Sequence, residues 1–221
     1  ATGISTIVTL GAEAMGAGIA TINLIDTGTA NDSVTVGAGF TSALTVDLDG
    51  TGVNTVDATN YTGALTVTAN EVEMDDAVMV LTGGSGSDTL TIGLTAGASL
   101  VAANLASVTN FETFKTTGSQ TTTLTLSDNN VTASNTLAVN AASFTTHVLT
   151  FDGSAETSGS INLSIGGTGD HQITLGSGND TYTSTSTAGE DVIATAGNNT
   201  ITTGAGADII TGGTGDDNMS G

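Results

Sequence analysis

The sequence predicts an all-β fold, a solenoid in which short parallel strands wind as successive rungs of a β-helix or β-roll. Three observations predict it. The first is composition. The chain holds 45 Thr, 31 Gly, no Pro, no Cys and 3% aromatic residues. Val, Ile and Thr suit a pleated surface, and glycines punctuate turns. The second is a beat of nine residues in the C-terminal quarter. The third is the recurrence of three-residue apolar cores, such as Leu-Thr-Val at 44–46 and 65–67, bracketed by Asn, Asp, Gly and Ser. One rung cannot bury its apolar side alone, but stacked rungs share a continuous core.

Taken in order, residues 1–97 read as a Thr-rich β-solenoid with one full phrase, "GGSGSDTLT" at 83–91. Worn versions stand at "TGTANDSVT" (27–35) and "DGTGVNTVD" (49–57). Residues 98–116, "ASLVAANLASVTNFETF" and its neighbours, form a helical or irregular seam, with Ala-rich spacing that predicts a short helix near 99–106. Residues 117–165 return to Thr-rich rungs. Here Leu124–Leu126, Leu137–Val139 and Leu149–Phe151 mark strand cores, with Thr and Asn ladders expected outside. Residues 166–221 are the repeat block.

Six phrases fill that block: 166–174, 175–183, 186–194, 195–202, 203–211 and 212–220. Their sixth positions are His171, Asp180, Asp191, Asn199, Asp208 and Asp217, at steps of 9, 11, 8, 9 and 9. The eighth positions, Ile173, Tyr182, Ile193, Ile201, Ile210 and Met219, are apolar or aromatic and are expected to point inward.

The phrase has a chemical reading. Alternate glycines permit a turn whose backbone is closed to other residues, with carbonyl oxygens aimed at one point. The Asp adds a charged oxygen, and calcium takes six to eight such hard oxygens. Two phrases make one coil, so a turn stacks on the turn two phrases later. One side then carries His171, Asp191 and Asp208, the other Asp180, Asn199 and Asp217. Expected metal positions are Asp88, Asp180, Asp191, Asn199, Asp208 and Asp217, with the turn glycines Gly83, Gly84, Gly86, Gly176, Gly178, Gly189, Gly197, Gly204, Gly206, Gly213 and Gly215. The Asp191/Asp208 and Asn199/Asp217 gaps are the best candidates. Asn199 offers an amide oxygen without charge. His171 is a poor calcium ligand and reads as a solvated turn residue.

"GGSGSDTLT", "TGAGADIIT" and "GGTGDDNMS" resemble the repeats-in-toxin (RTX) nonapeptide, Gly-Gly-x-Gly-x-Asp-x-apolar-x. Upstream, "NTVDATNYTGALTVTA", "VTNFETFKTTG" and "LTFDGSAETSGSINLSIGGTGD" resemble the Thr-rich rungs of bacterial RTX-type surface-layer and large surface proteins. The resemblance implies several calcium ions, calcium-dependent folding outside the cell, type I secretion and a cell-surface or extracellular location. The family's C-terminal export signal is not in this sequence. The chain opens without Met and halts inside a phrase, so a longer parent chain is expected.

Charge bounds the partners. The chain has 22 acids and one base, Lys115, for a formal charge of −21. It cannot neutralise a phosphate backbone, so nucleic acid is excluded as a partner, and no apolar run reaches membrane-spanning length. No nucleophile elbow, phosphate loop or zinc motif occurs. The acid pair 75–76 reads as solvated, so no enzyme is expected. The leading expectation is a calcium-stiffened structural segment of a surface layer or extracellular filament, self-assembling with copies of itself or with neighbouring segments of its own long chain. A cell-surface polysaccharide is a further expected partner. The alternatives are an adhesin spacer and the secretion module of an RTX enzyme. The last is disfavoured because residues 1–165 keep the same repetitive style.

Overall fold

Triplets such as Leu-Thr-Val make strands whose alternate side chains leave on opposite faces, and here the apolar ones leave together. The computed structural model describes residues 4–25, 30–49, 52–76, 79–95 and 99–221. Residues 27–29 and 50–51 of the two worn phrases, the start of the 98–116 seam and the Asp76 side chain lie outside the described residues.

Ten parallel strands form one continuous wall: Thr21–Ile25, Leu44–Asp49, Leu65–Asn70, Thr89–Gly93, Thr113–Thr117, Thr136–Ala141, Ser160–Ile165, Thr181–Ser184, Thr200–Thr202 and Asn218–Ser220. Their register lines up a single inward column: Ile22, Val46, Val67, Leu90, Phe114, Val139, Leu163, Tyr182, Ile201 and Met219. One residue earlier on each strand runs a second column of Thr21, Thr45, Thr66, Thr89, Thr113, Ala138, Asn162, Thr181, Thr200 and Asn218, none of them buried. The Thr and Asn ladder expected outside is therefore present.

A second wall closes the coil in two parts. Ile7–Leu10, Ser33–Val36, Thr55–Asp57, Val80–Thr82 and Val108–Thr109 form the earlier part. Ser99–Leu100, Thr122–Thr125, Leu149–Asp152, Gln172–Thr174, Asp191–Ile193 and Ile209–Thr211 form the later part. Outside the stretch 98–116 the chain alternates between walls, so each coil there uses two strands. Leu124 and Leu149, read from sequence as successive rungs with Leu137, share the second wall while Leu137 lies in the long one.

The stretch 98–116 is where the second wall changes part. It contributes Ser99–Leu100 to the later part, turns through the helix Ala102–Leu105, and returns as Val108–Thr109 to the earlier part. The long wall is not interrupted there, because Phe114 pairs with both Leu90 and Val139. A second helix, Glu71–Asp76, was not foreseen. Its cause is legible in "NEVE": the Asn70 N–H donates to Glu73 Oε2 (2.8 Å), and the Glu73 N–H donates to Asn70 Oδ1 (3.0 Å). This reciprocal cap satisfies two backbone donors at the helix start.

Coil length changes along the axis. Paired long-wall residues are 21 to 25 apart from Thr45 to Asn162, then 19, 19 and 18 apart at Thr181, Thr200 and Asn218. The longer coils carry most of the largest buried side chains, including Phe40, Tyr61, Phe114, Phe144 and Phe151. The shorter coils of the repeat block have room for about one large inward residue per strand, such as Tyr182, Val192 and Ile201.

Candidate metal centre

The turns between strands stack in register, and the sixth residue of each phrase but that of Glu190 does the same job. Its side chain reaches back one coil and accepts the backbone N–H of the equivalent residue. Asp180 Oδ1 accepts from Ile161 (2.8 Å), Asn199 Oδ1 from Asp180 (2.9 Å) and Asp217 Oδ1 from Asn199 (2.9 Å). On the opposite edge Asp208 Oδ1 accepts from Glu190 (2.9 Å). The upstream turns repeat it: Asp32 accepts from Thr6, Asn54 from Asp32, Asp88 from Leu65 and Glu112 from Asp88. A buried N–H left without an acceptor is costly, so each rung needs an acceptor at this position before any metal is considered.

This ladder corrects the frame of one phrase. Asp191 pairs with Gln172 and Ile209 at the start of a strand, and its side chain is exposed. The residue stacked between His171 and Asp208 is Glu190, which is buried. The inward apolar residue is correspondingly Val192, fully buried, and Ile193 is 48% exposed. The phrase therefore runs 185–193, after a single extra residue, Ser184. A slip of one residue exchanges the two faces of a strand. Asp191 lies with Asp170 beside an exposed cleft of about 330 Å³ on the outside of the turn stack.

His171 is not solvated. It is 1% exposed, and it fills the acceptor role with Nδ1, which takes the Leu149 N–H at 3.1 Å. Nε2 is then the protonated nitrogen and donates to the Gly166 carbonyl at 3.2 Å. Burial lowers the imidazole pKa, so the ring stays neutral.

Glu190 differs from an Asp at this position. Its longer side chain turns into the coil, where Oε1 accepts the Tyr182 hydroxyl (2.8 Å) and the Ser184 hydroxyl (2.7 Å). Burial first, and then the Glu190 charge, hold the Tyr182 hydroxyl well above its ordinary range.

Asn199 also departs from expectation. Its amide oxygen accepts the Asp180 N–H, which uses one of its two lone pairs. Its Nδ2 donates to the carbonyls of Ala196, Gly197 and Gly212 and to Asp217 Oδ1, at 3.0–3.3 Å. A neutral NH2 thus occupies the middle of an oxygen cluster of the kind that attracts a cation.

The glycines have a different cause from the one expected. Of the predicted set, only Gly197 (φ 91°), Gly213 (φ 80°) and Gly215 (φ 128°) adopt left-handed backbone. Gly83, Gly84, Gly86, Gly176, Gly178, Gly189, Gly204 and Gly206 do not. There the constraint is the neighbouring coil. A Cβ on Gly178 would overlap the Gly159 carbonyl oxygen, one on Gly204 that of Ser186, and one on Gly206 that of Ala188. Stacked turns lie so close that each carbonyl is covered by the next glycine Cα.

The donor set suits calcium. It consists of carboxylate and turn carbonyl oxygens, with no thiol, and the buried imidazole of His171 has both nitrogens engaged. At Asp180 one oxygen serves the ladder, while Oδ2 is fully shielded and outside full hydrogen-bond geometry, with the Gly176 N–H beside the carboxyl. Such an atom is costly to bury unless something positive meets it. Burial, with a contribution from the Glu156 charge, pushes the Asp180 carboxyl up to about 6.

Comparison with known proteins agrees. Residues 184–219 match the family model of the RTX calcium-binding nonapeptide repeat, in four copies. No curated protein and no solved structure matches the chain. The chain thus carries RTX calcium-binding repeats on a mostly parallel all-β scaffold, and calcium is the ion these motifs bind.

The corrected frame has a direct test. Asp208→Ala should weaken calcium binding markedly, because it removes both a ladder acceptor and a turn carboxylate. Asp191→Ala should leave binding within about twofold, as for most exposed side chains away from a site. Calorimetric titration of both variants decides, and equal losses would restore the earlier frame.

Proposed function

We propose that this chain is a calcium-stiffened structural segment of a secreted bacterial surface layer or extracellular filament, assembling with copies of itself or with adjoining segments of its own chain. One observation carries the reading. The long wall passes without a break from Thr21 to Ser220, through both the Thr-rich coils and the calcium repeats. Within this chain, calcium binding is therefore built into the same wall as the Thr-rich coils. Ten strands at the usual spacing give the rod a length of roughly 40 Å. A stack in which each turn lies on the next resists bending once cations bridge the acids at its edges.

The charge supports the location. RTX repeat proteins are typically secreted, and outside the cell calcium is abundant enough to screen a net −21. Among the described residues no helix is long and apolar enough to cross a membrane. The role is that of a scaffold and not of an enzyme.

Light scattering and negative-stain electron microscopy of the purified chain test the proposal. Millimolar calcium should produce ordered assemblies that a chelator disperses. A strictly monomeric chain in calcium would replace this reading with that of an adhesin spacer.

A further inference from the structure

We propose that Glu156 and Asp180 hold a further calcium ion between two stacked turns, where one side of the gap lacks the nine-residue pattern altogether. The inference rests on the calcium chemistry of the repeats and not on the assembly reading. Glu156 lies in "FDGSAETSGS", outside the matched repeats and outside every phrase identified in the sequence.

The turn around Glu156 is firmly built. The Glu156 N–H donates to the Gly153 carbonyl (2.9 Å), and its own carbonyl accepts the Ser177 N–H of the next coil (3.0 Å). Thr157 is tied to Asp128 Oδ1 of the previous coil through its N–H (3.1 Å) and its hydroxyl (2.9 Å). The Glu156 carboxylate is completely buried. Oε1 accepts the N–H groups of Ser158 (2.6 Å) and Gly159. Oε2 is shielded from solvent and has no hydrogen-bond partner.

Asp180 stands on the coil above, 1% exposed, with Oδ1 on the Ile161 N–H, the Gly176 N–H beside the carboxyl, and Oδ2 shielded and outside full hydrogen-bond geometry. The two turns are in contact, since a Cβ on Gly176 would lie 3.0 Å from the Glu156 Cβ. Two buried carboxylates thus each keep one uncommitted oxygen within electrostatic reach of the other. The Glu156 charge adds to the burial that raises the Asp180 pKa. No Lys or Arg follows Lys115, so no permanent protein cation from this half of the chain can neutralise the pair. A proton or a hard metal ion must do so, and calcium is the hard ion that the adjoining repeats bind. The other edge offers no equivalent: His171 is neutral and fully engaged there, and Glu190 turns into the core.

The position has a consequence for the fold. It lies where coil length falls from 24 to 19 residues, between the Thr-rich coils and the repeat block. An ion there would join the two, so the roll would grow from a fixed base.

The test is calcium stoichiometry by flow dialysis on the full chain, wild type against Glu156→Gln. The Gln carbonyl still accepts from Ser158 and Gly159, and its NH2 can donate to Asp180 Oδ2. The variant should therefore fold in calcium and bind one ion fewer than wild type. Its β structure around residues 153–180 should also survive chelation better than in wild type, which a role as a turn brace alone would not produce. Asp170→Asn, at an exposed carboxylate, should bind as many ions as wild type. Unchanged stoichiometry and affinity in Glu156→Gln would mean that the pair only shares a proton, and would overturn this proposal alone. A wild-type chain that bound no calcium would overturn it together with the calcium assignment of the repeats.

Discussion

Chelating calcium is expected to unfold the repeat block while leaving the coils upstream of it intact. Residues 166–221 contain seven acids and no Lys or Arg. Without ions these acids repel one another across stacked turns. The apolar core that must oppose this repulsion is thin. Strands of the repeat block bury one large side chain each, and toward the end even that fails: Ile210 is half-buried and Met219 is 49% exposed. At about 1.5–3 kcal/mol per fully buried aliphatic residue, one per strand falls far short of the roughly 9–18 kcal/mol of backbone entropy lost in ordering a nine-residue phrase.

Upstream the balance differs. Leu44, Val46 and Leu48 are all buried on one strand, as are Leu65, Val67 and Ala69 on the next, with Phe40 and Tyr61 in ring contact at 6.0 Å. In a solenoid, stability is close to a sum over rungs and their interfaces, so the weak end can melt alone. Metal affinity then becomes folding free energy for that end. Circular dichroism in chelator should lose about a quarter of the β signal, in proportion to the chain length concerned. Hydrogen exchange should place the loss after residue 165. Uniform loss along the chain, or none, would show that the repeats do not depend on calcium for their fold.

The sequence makes the coil legible where geometry allows little choice. Phrases 175–183, 203–211 and 212–220 keep glycine at the second and fourth positions, where the next coil leaves no room for a side chain, and their frame is read correctly. Phrase 185–193 has Ala188 at the fourth position and Gly189 at the fifth. The glycine pulls the reading one residue late, and Ile193 looks as good an inward residue as Val192. Only burial separates them. His171 was misjudged for a related reason. A poor calcium ligand reads as free for solvent, whereas the ladder requires an acceptor there and an imidazole nitrogen supplies one. Glu156 leaves no signal of its own in the sequence, because its turn has no glycine frame and is defined by the coils above and below it. The split of the second wall is equally invisible, since which wall a strand joins depends on pairing with residues more than 20 positions away.

Substituting Gly197 should be the most damaging single change in the repeat block. Two constraints coincide there. Its φ is 91°, outside the range that side chains accept readily, and a Cβ would overlap the Gly178 carbonyl oxygen of the coil below. The obstruction is backbone on a fixed strand, so it cannot swing aside as a side chain would. Gly178 is itself held against the Gly159 carbonyl, and Gly215 is held against that of Gly197, which makes a column of four. Displacing one member moves the carbonyls on both sides, and the Asn199 amide that rests on the Gly197 oxygen moves with them. The left-handed strain alone costs about 1–3 kcal/mol, and the overlap adds to it. Gly197→Ala should therefore lower the calcium-dependent melting transition sharply, by more than about 10 °C for so short a cooperative block, and reduce calcium affinity together with it. Gly16→Ala supplies the contrast. Gly16 ends the helix Ala12–Gly16, with nothing within 4 Å of the added Cβ, and should be neutral or stabilising by up to about 1 kcal/mol. If the two variants melt alike in calcium, the glycines of the phrase owe their presence to something other than the stacking of turns.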